Sequence, residues 1–249
     1  MNPVLFGTHE RQLFGIHTPA TGTRRRQGVV ICPPWGPEYQ RAHRACRQLG
    51  ERMAARGYDV FRFDYYGSGD SGGSAAEVTL AGCVQDTVQA VEELCAIADT
   101  RRVLVAGLRL GATIACRASR ETAAVDRLVL WDPVCDGLAY LAEIDAMMRG
   151  RTLDGQRRAA GGFDMPDRFR AELEVLTPES FDAGRVRRIL VVASNQRDEQ
   201  PLLLDRLRSR AESVDWALHP SPPAWVEEAA LGVGAMPVAI LDHITAWEI

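Results

Sequence analysis

The stretch Val103–Ala115, "VLVAGLRLGATIA", decides how this chain of 249 residues is read. An aliphatic run ends at Gly107, and a segment with helical character begins near Leu110. Between them stands Arg109, framed by Gly107 and Gly111. Glycines on both sides leave room for a sharp corner in which a strand passes directly into a helix. A strand–corner–helix of this kind is part of a βαβ unit, so the same alternation is expected elsewhere in the chain.

It recurs in both directions. "QGVVICPP" is a buried strand closed by prolines. Ala42, Ala45, Leu49 and Met53 follow at helical spacing, and Gly57 ends that helix. "YDVFRFDYYG" is the next strand. Leu80, Val84, Val88, Val91, Leu94 and Ala98 form one helical stripe, with Thr79 as its N-cap. Downstream of the corner, "VDRLVLWDPV" and "VRRILVVAS" read as strands, "PLLLDRLRSRAE" as a helix, "SVDWALHP" as the last strand and "MPVAILDHITAWEI" as a closing helix. "LFGTHERQLFGIHTP" opens the chain as an antiparallel pair. Such alternation predicts an α/β fold with a mostly parallel central sheet flanked by helices. Residues from about 136 to 184 break the rhythm, with helical patches and the pair Gly161-Gly162. They are expected to be a small helical cap inserted into one domain spanning 1–249.

Composition narrows the function. The formal charge of −4 argues against a nucleic-acid partner. All 29 basic residues are arginine, which removes lysine-base and Schiff-base chemistry. Six cysteines are scattered without metal spacing and read as buried thiols, so neither a metal nor a cofactor is expected. No apolar run reaches the roughly 18 residues of a membrane span, and no signal-like start is present. A cytoplasmic protein is expected.

In open α/β sheets, ligands lie beyond the carboxyl ends of the strands. "CPPWGPEY" follows the first parallel strand and offers backbone donors at Trp35 and Gly36. "FDYYGSGDSGG" is a glycine-rich turn without dinucleotide or P-loop spacing. The corner at Arg109 has the strand–turn–helix context of a nucleophile elbow, with the N–H of Leu110 beside it. A guanidinium cannot attack a carbonyl, but it can clamp a carboxylate or phosphate, or pair with an internal acid. Asp198, in "SNQRDEQP", is the expected acid, with Asp132 a second and more structural choice. The loop after the last strand lacks a histidine. Trp225 stands where one would be sought, and His219 just before that loop is the remaining proton carrier. Cys32 and Cys135 lie near strand ends, with no histidine visibly paired to either.

Taken together, "FDYYGSGDSGG", "GLRLGA" and "LVLWDPV" resemble the α/β-hydrolase superfamily, in its serine-aminopeptidase-like and exosortase-associated branch. The resemblance implies an α/β-hydrolase fold from about Leu13 to the end. It also implies a biosynthetic setting with a small-molecule or carrier-bound acyl substrate, and a homodimer is allowed. The triad is degenerate, since the elbow serine is Arg109 and the histidine is missing, while Asp198 keeps its place. Two functions follow as expectations. One is an unconventional enzyme on an anionic acyl, ester or thioester substrate (acyl transfer, lyase or cyclisation chemistry). It would use Arg109, Asp198 and His219, with Trp35, Gly36, Leu110 and Trp225 around the substrate. The other is an inactive hydrolase relative that binds or scaffolds, with Arg109 locked to Asp198.

Overall fold

The computed structural model describes residues 1–149, 165–226 and 235–247. Eight strands form one sheet in the order β1-β2-β4-β3-β5-β6-β7-β8. These are β1 (Asn2–Gly7), β2 (Gln12–Thr18), β3 (Gly28–Cys32), β4 (Asp59–Phe63), β5 (Val103–Leu108), β6 (Val125–Trp131), β7 (Arg188–Ala193) and β8 (Ser213–Leu218). β1 pairs antiparallel with β2, and β2 with β4. Every pairing from β4 through β3 to β8 is parallel. This is the α/β-hydrolase arrangement expected from the alternating segments.

The helices are α1 (Pro37–Ala55), α2 (Leu80–Ala98), α3 (Leu110–Ala118), α4 (Gly137–Arg149), α5 (Asp167–Glu174), α6 (Gln200–Arg208) and α7 (Val238–Ala246). Thr79 caps α2, its hydroxyl accepting from the N–H of Gly82 at 2.9 Å. Because strand side chains alternate between faces, β5 feeds two cores. Val103 and Val105 pack with α2 and α3, and Leu104, Ala106 and Leu108 pack with α1 and α7. Between β6 and β7 lie α4 and α5, within the expected insertion. Its residues 150–164, including Gly161-Gly162, fall outside the described residues.

The glycine-rich turn after β4 is structural. Asp64 accepts from the Tyr39 hydroxyl at 2.5 Å and from the Asp70 N–H at 3.0 Å. The Ser71 hydroxyl donates to the Asp64 carbonyl at 2.6 Å and accepts from the Phe14 N–H at 2.9 Å. Gly69 sits at φ 57°, and a Cβ there would lie 2.2 Å from the Asp64 carboxylate. The turn therefore ties β4 back to β2, with the Asp64 carboxylate used as its fastening.

Candidate functional site

The corner after β5 is built as the sequence implied. Arg109 has φ 56° and ψ −124°, a conformation that L-residues rarely adopt and that costs roughly 1–3 kcal/mol. The surrounding backbone enforces it. The Arg109 N–H donates to the Trp131 carbonyl at 2.9 Å, and its carbonyl accepts from Ala112 at 3.0 Å. A Cβ on Gly107 would sit 2.3 Å from the Gly111 carbonyl. The Arg109 side chain is thus aimed inward over the carboxyl edge of the sheet.

It does not face an open pocket. The residue is 1% exposed. Its Nε donates to Glu38 Oε1 at 2.8 Å, and Nη2 donates to Glu143 Oε2. Glu38, in the first turn of α1, is fully buried, and its other oxygen accepts from the Tyr140 hydroxyl at 3.3 Å. Glu143, on α4, also binds Arg197 at 2.7 Å. The Trp225 ring lies 4.5 Å from the guanidinium carbon and the Tyr140 ring 5.4 Å. Two aromatic faces and two carboxylates therefore enclose one cation, which is how a buried charge is made tolerable.

The charges are set by that enclosure. Burial works against the charge of Arg109, but Glu38 and then Glu143 outweigh it, and its pKa is raised. Burial drives the Glu38 carboxyl upward, against the pull of Arg109. Glu143 is only half-buried. Burial raises it, but Arg109 and Arg197 together hold it below the ordinary glutamate value of 4.5. A depressed folded pKa gives stability that is present above the unfolded value and lost as pH falls through the folded one. Acid titration of stability should therefore show a loss below pH 4.5 that Glu143→Gln diminishes, as read by denaturation midpoints across an acid pH series.

The expected proton carriers, Asp198 and His219, do not converge on Arg109. Asp198 is exposed and makes no ion pair among the described residues, so the expected Arg109–Asp198 lock is corrected to Glu38 and Glu143. Those acids lie on packed helices, where the field of a buried cation is least screened, whereas Asp198 is held in solvent. His219 turns toward α7, its ring 4.8 Å from that of His243, and its buried Nε2 has no partner among the described residues. Asp132 accepts from the Ser194 N–H at 2.9 Å, and burial raises its pKa. Trp35 is buried against Phe169 at 5.0 Å, Gly36 caps α1, and Leu110 is fully buried at the start of α3. The cavity beside Trp35 and Gly36 measures about 10 Å³, room for one water at most. Of the substrate-side residues, Trp225 lies against the guanidinium.

Cys32 and Cys135 are buried. Burial pushes the Cys32 thiol up to about 12, and it raises Cys135 as well, so neither has the lowered pKa of a nucleophile.

Glu38, Tyr140, Glu143 and Arg197 were missed from sequence. One signal existed: Tyr140 and Glu143 are three apart on a helix and share a face. A buried arginine also demands a counter-charge, and Glu38 stands inside "CPPWGPEY", two residues past the backbone donor at Gly36.

A family model for serine aminopeptidase, S33, matches residues 25–155, more than half of the chain. Among solved structures, a putative α/β-hydrolase of unknown function from Agrobacterium tumefaciens superposes with TM-score 0.64 at 13% identity, covering 99% of this chain and 94% of that one. Mouse α/β-hydrolase domain-containing protein 10 gives TM-score 0.65 at 18% identity, covering 98% and 97%. Est1E from Butyrivibrio proteoclasticus, solved with ferulic acid bound, gives 0.68 at 14% identity, covering 97% and 96%. At these identities the likeness speaks for the fold. Among curated proteins, none matches in sequence.

Proposed function

The chain belongs to the serine aminopeptidase S33 family of α/β-hydrolases, and we propose that it is a member whose reaction site is closed by an internal ion network, so that it binds rather than hydrolyses. One observation carries this reading: the corner that presents an attacking hydroxyl in a hydrolase holds a guanidinium 1% exposed, bound to two internal carboxylates. A nucleophile needs a lone pair, and a protonated guanidinium has none to give. An oxyanion site needs donors aimed at an empty position. Here the cavity beside Trp35 and Gly36 holds one water at most, too little for an acyl group.

The enzymatic alternative retains a specific point in its favour. Glu143, the half-exposed partner, is the one a substrate carboxylate could displace, leaving Arg109 as an anion clamp. Acyl transfer, lyase or cyclisation chemistry would then have to proceed without a covalent serine intermediate.

Incubation with short-chain p-nitrophenyl esters and with a fluorophosphonate probe separates a serine hydrolase from both readings. The expected result is release at the buffer rate and no labelled protein. Turnover that is lost on heat denaturation, or stoichiometric labelling, would overturn the closed-site proposal.

A further inference from the structure

At the opposite edge of the sheet from Arg109, the loops that enter β5, β6, β7 and β8 surround a groove of about 880 Å³. Six arginines line it: Arg101, Arg102, Arg120, Arg185, Arg187 and Arg210. Glu121, Asp126 and Asp182 lie in the lining and Glu212 pairs with Arg187, leaving a local charge of +2 on a chain whose formal charge is −4. Arg102 is held by Asp126 at 2.9 Å, and Arg120 and Arg187 make looser pairs at 3.8 and 3.9 Å. Arg101, Arg185 and Arg210 are exposed and make no ion pair among the described residues.

Arginine gathers at helix C-termini to complement the helix dipole, and the ends of α2, α3 and α6 open onto this edge. That accounts for Arg101, Arg120 and Arg210. It does not account for Arg185 and Arg187, which follow no α-helix. Their loop is brought in by Gly184, at φ 59°, whose added Cβ would lie 3.1 Å from the Arg120 Cα. The loop before β7 is thus folded onto the end of α3 so that the two sets of guanidinium groups share one groove.

We propose that this groove docks an acidic segment of a protein partner. The strands β5 to β8 are successive neighbours, so the cations are spread over about 14 Å. A single phosphate or carboxylate meets only one end of such a row. Acids one helical turn apart, at i, i+4 and i+8, span about 12 Å and match it. Among the described residues no aromatic or histidine side chain lines the groove, so these offer no platform for stacking bases. The overall negative charge also opposes a long polyanion. Planar arginine forks suit carboxylates in pairs. The groove is remote from the elbow, and its occupancy does not depend on whether the elbow is closed.

The test uses a fluorescein-labelled deca-glutamate peptide and the full chain, read by fluorescence anisotropy at low and at raised salt. The expected result is saturable binding that salt weakens, with no binding of the deca-glutamine peptide. The combined substitution Arg101→Gln, Arg185→Gln and Arg210→Gln should weaken binding about tenfold with an unchanged thermal melt. Arg44→Gln, Arg47→Gln and Arg168→Gln together, exposed elsewhere, should leave binding unchanged. Arg109→Ala should also bind as wild type while it remains folded, which separates this proposal from the closed site. Absence of binding, equal loss in the two triple variants, or tighter capture of a single-stranded DNA of equal charge would overturn it.

Discussion

Arg109→Ala lowers stability by about 3–5 kcal/mol, the range seen when one partner of a buried ion pair is removed. The cause is less the lost attraction than what remains. Glu38, fully buried and already raised in pKa by that burial, loses the cation that opposes the rise, so it must take up a proton or stay as an uncompensated charge with the Tyr140 hydroxyl beside it. Alanine at φ 56° keeps the backbone strain as well, so nothing offsets the loss. Arg109→Gly should recover about 1 kcal/mol of it, because glycine accepts that φ freely. Arg109→Lys retains the charge, but an ammonium lacks the planar fork that reaches Glu38 and Glu143 through separate nitrogens. It should fall between wild type and alanine. Urea midpoints, at constant slope, measure all three.

Gly111→Ala is the second large effect, at about 3 kcal/mol. A Cβ there would stand 2.4 Å from both the Cys32 and Pro33 carbonyl oxygens. Both are backbone atoms at the end of β3, so the clash cannot be relieved by a side-chain rotation. Either α3 tilts off the sheet or the loop carrying Trp35 and Glu38 moves, and Glu38 then leaves Arg109. Gly22→Ala is the control. It has φ 77° but no atom within 4 Å of the added carbon, so only the backbone preference is lost, about 1 kcal/mol. Gly111 lies in α3 without a positive φ, so its own loss, unlike that of Gly22, reports the close packing of the elbow.

Much of this fold was legible because parallel strands buried on both faces read as unbroken apolar runs. "GVVIC", "VLVAGL" and "ILVVA" have no polar interruption, and each appears as a strand. The corner at Arg109 was legible for a different reason. Only small residues at 107 and 111 permit it, and the backbone contacts there show why. The counter-charges were not legible, because Glu38 and Glu143 lie 71 and 34 positions from Arg109 and meet it only through the packing of α1 and α4. Periodicity assigns a residue to a face of its own element, not to a partner on another. Asp198 illustrates the converse: its position after β7 fitted an acid, yet in that same loop it is Arg197 that joins the network. His219 likewise follows the correct strand directly, but its ring turns toward His243 of α7.

The most direct measurement is a double-mutant cycle between Arg109 and Glu38, using Arg109→Leu, Glu38→Leu and the pair, followed by urea denaturation. If the guanidinium is locked inside the fold by that carboxylate, each single change is strongly destabilising. The pair then costs about 3 kcal/mol less than the two together. Additive losses agreeing within about 0.5 kcal/mol, or an Arg109→Leu protein as stable as wild type, would contradict a closed elbow.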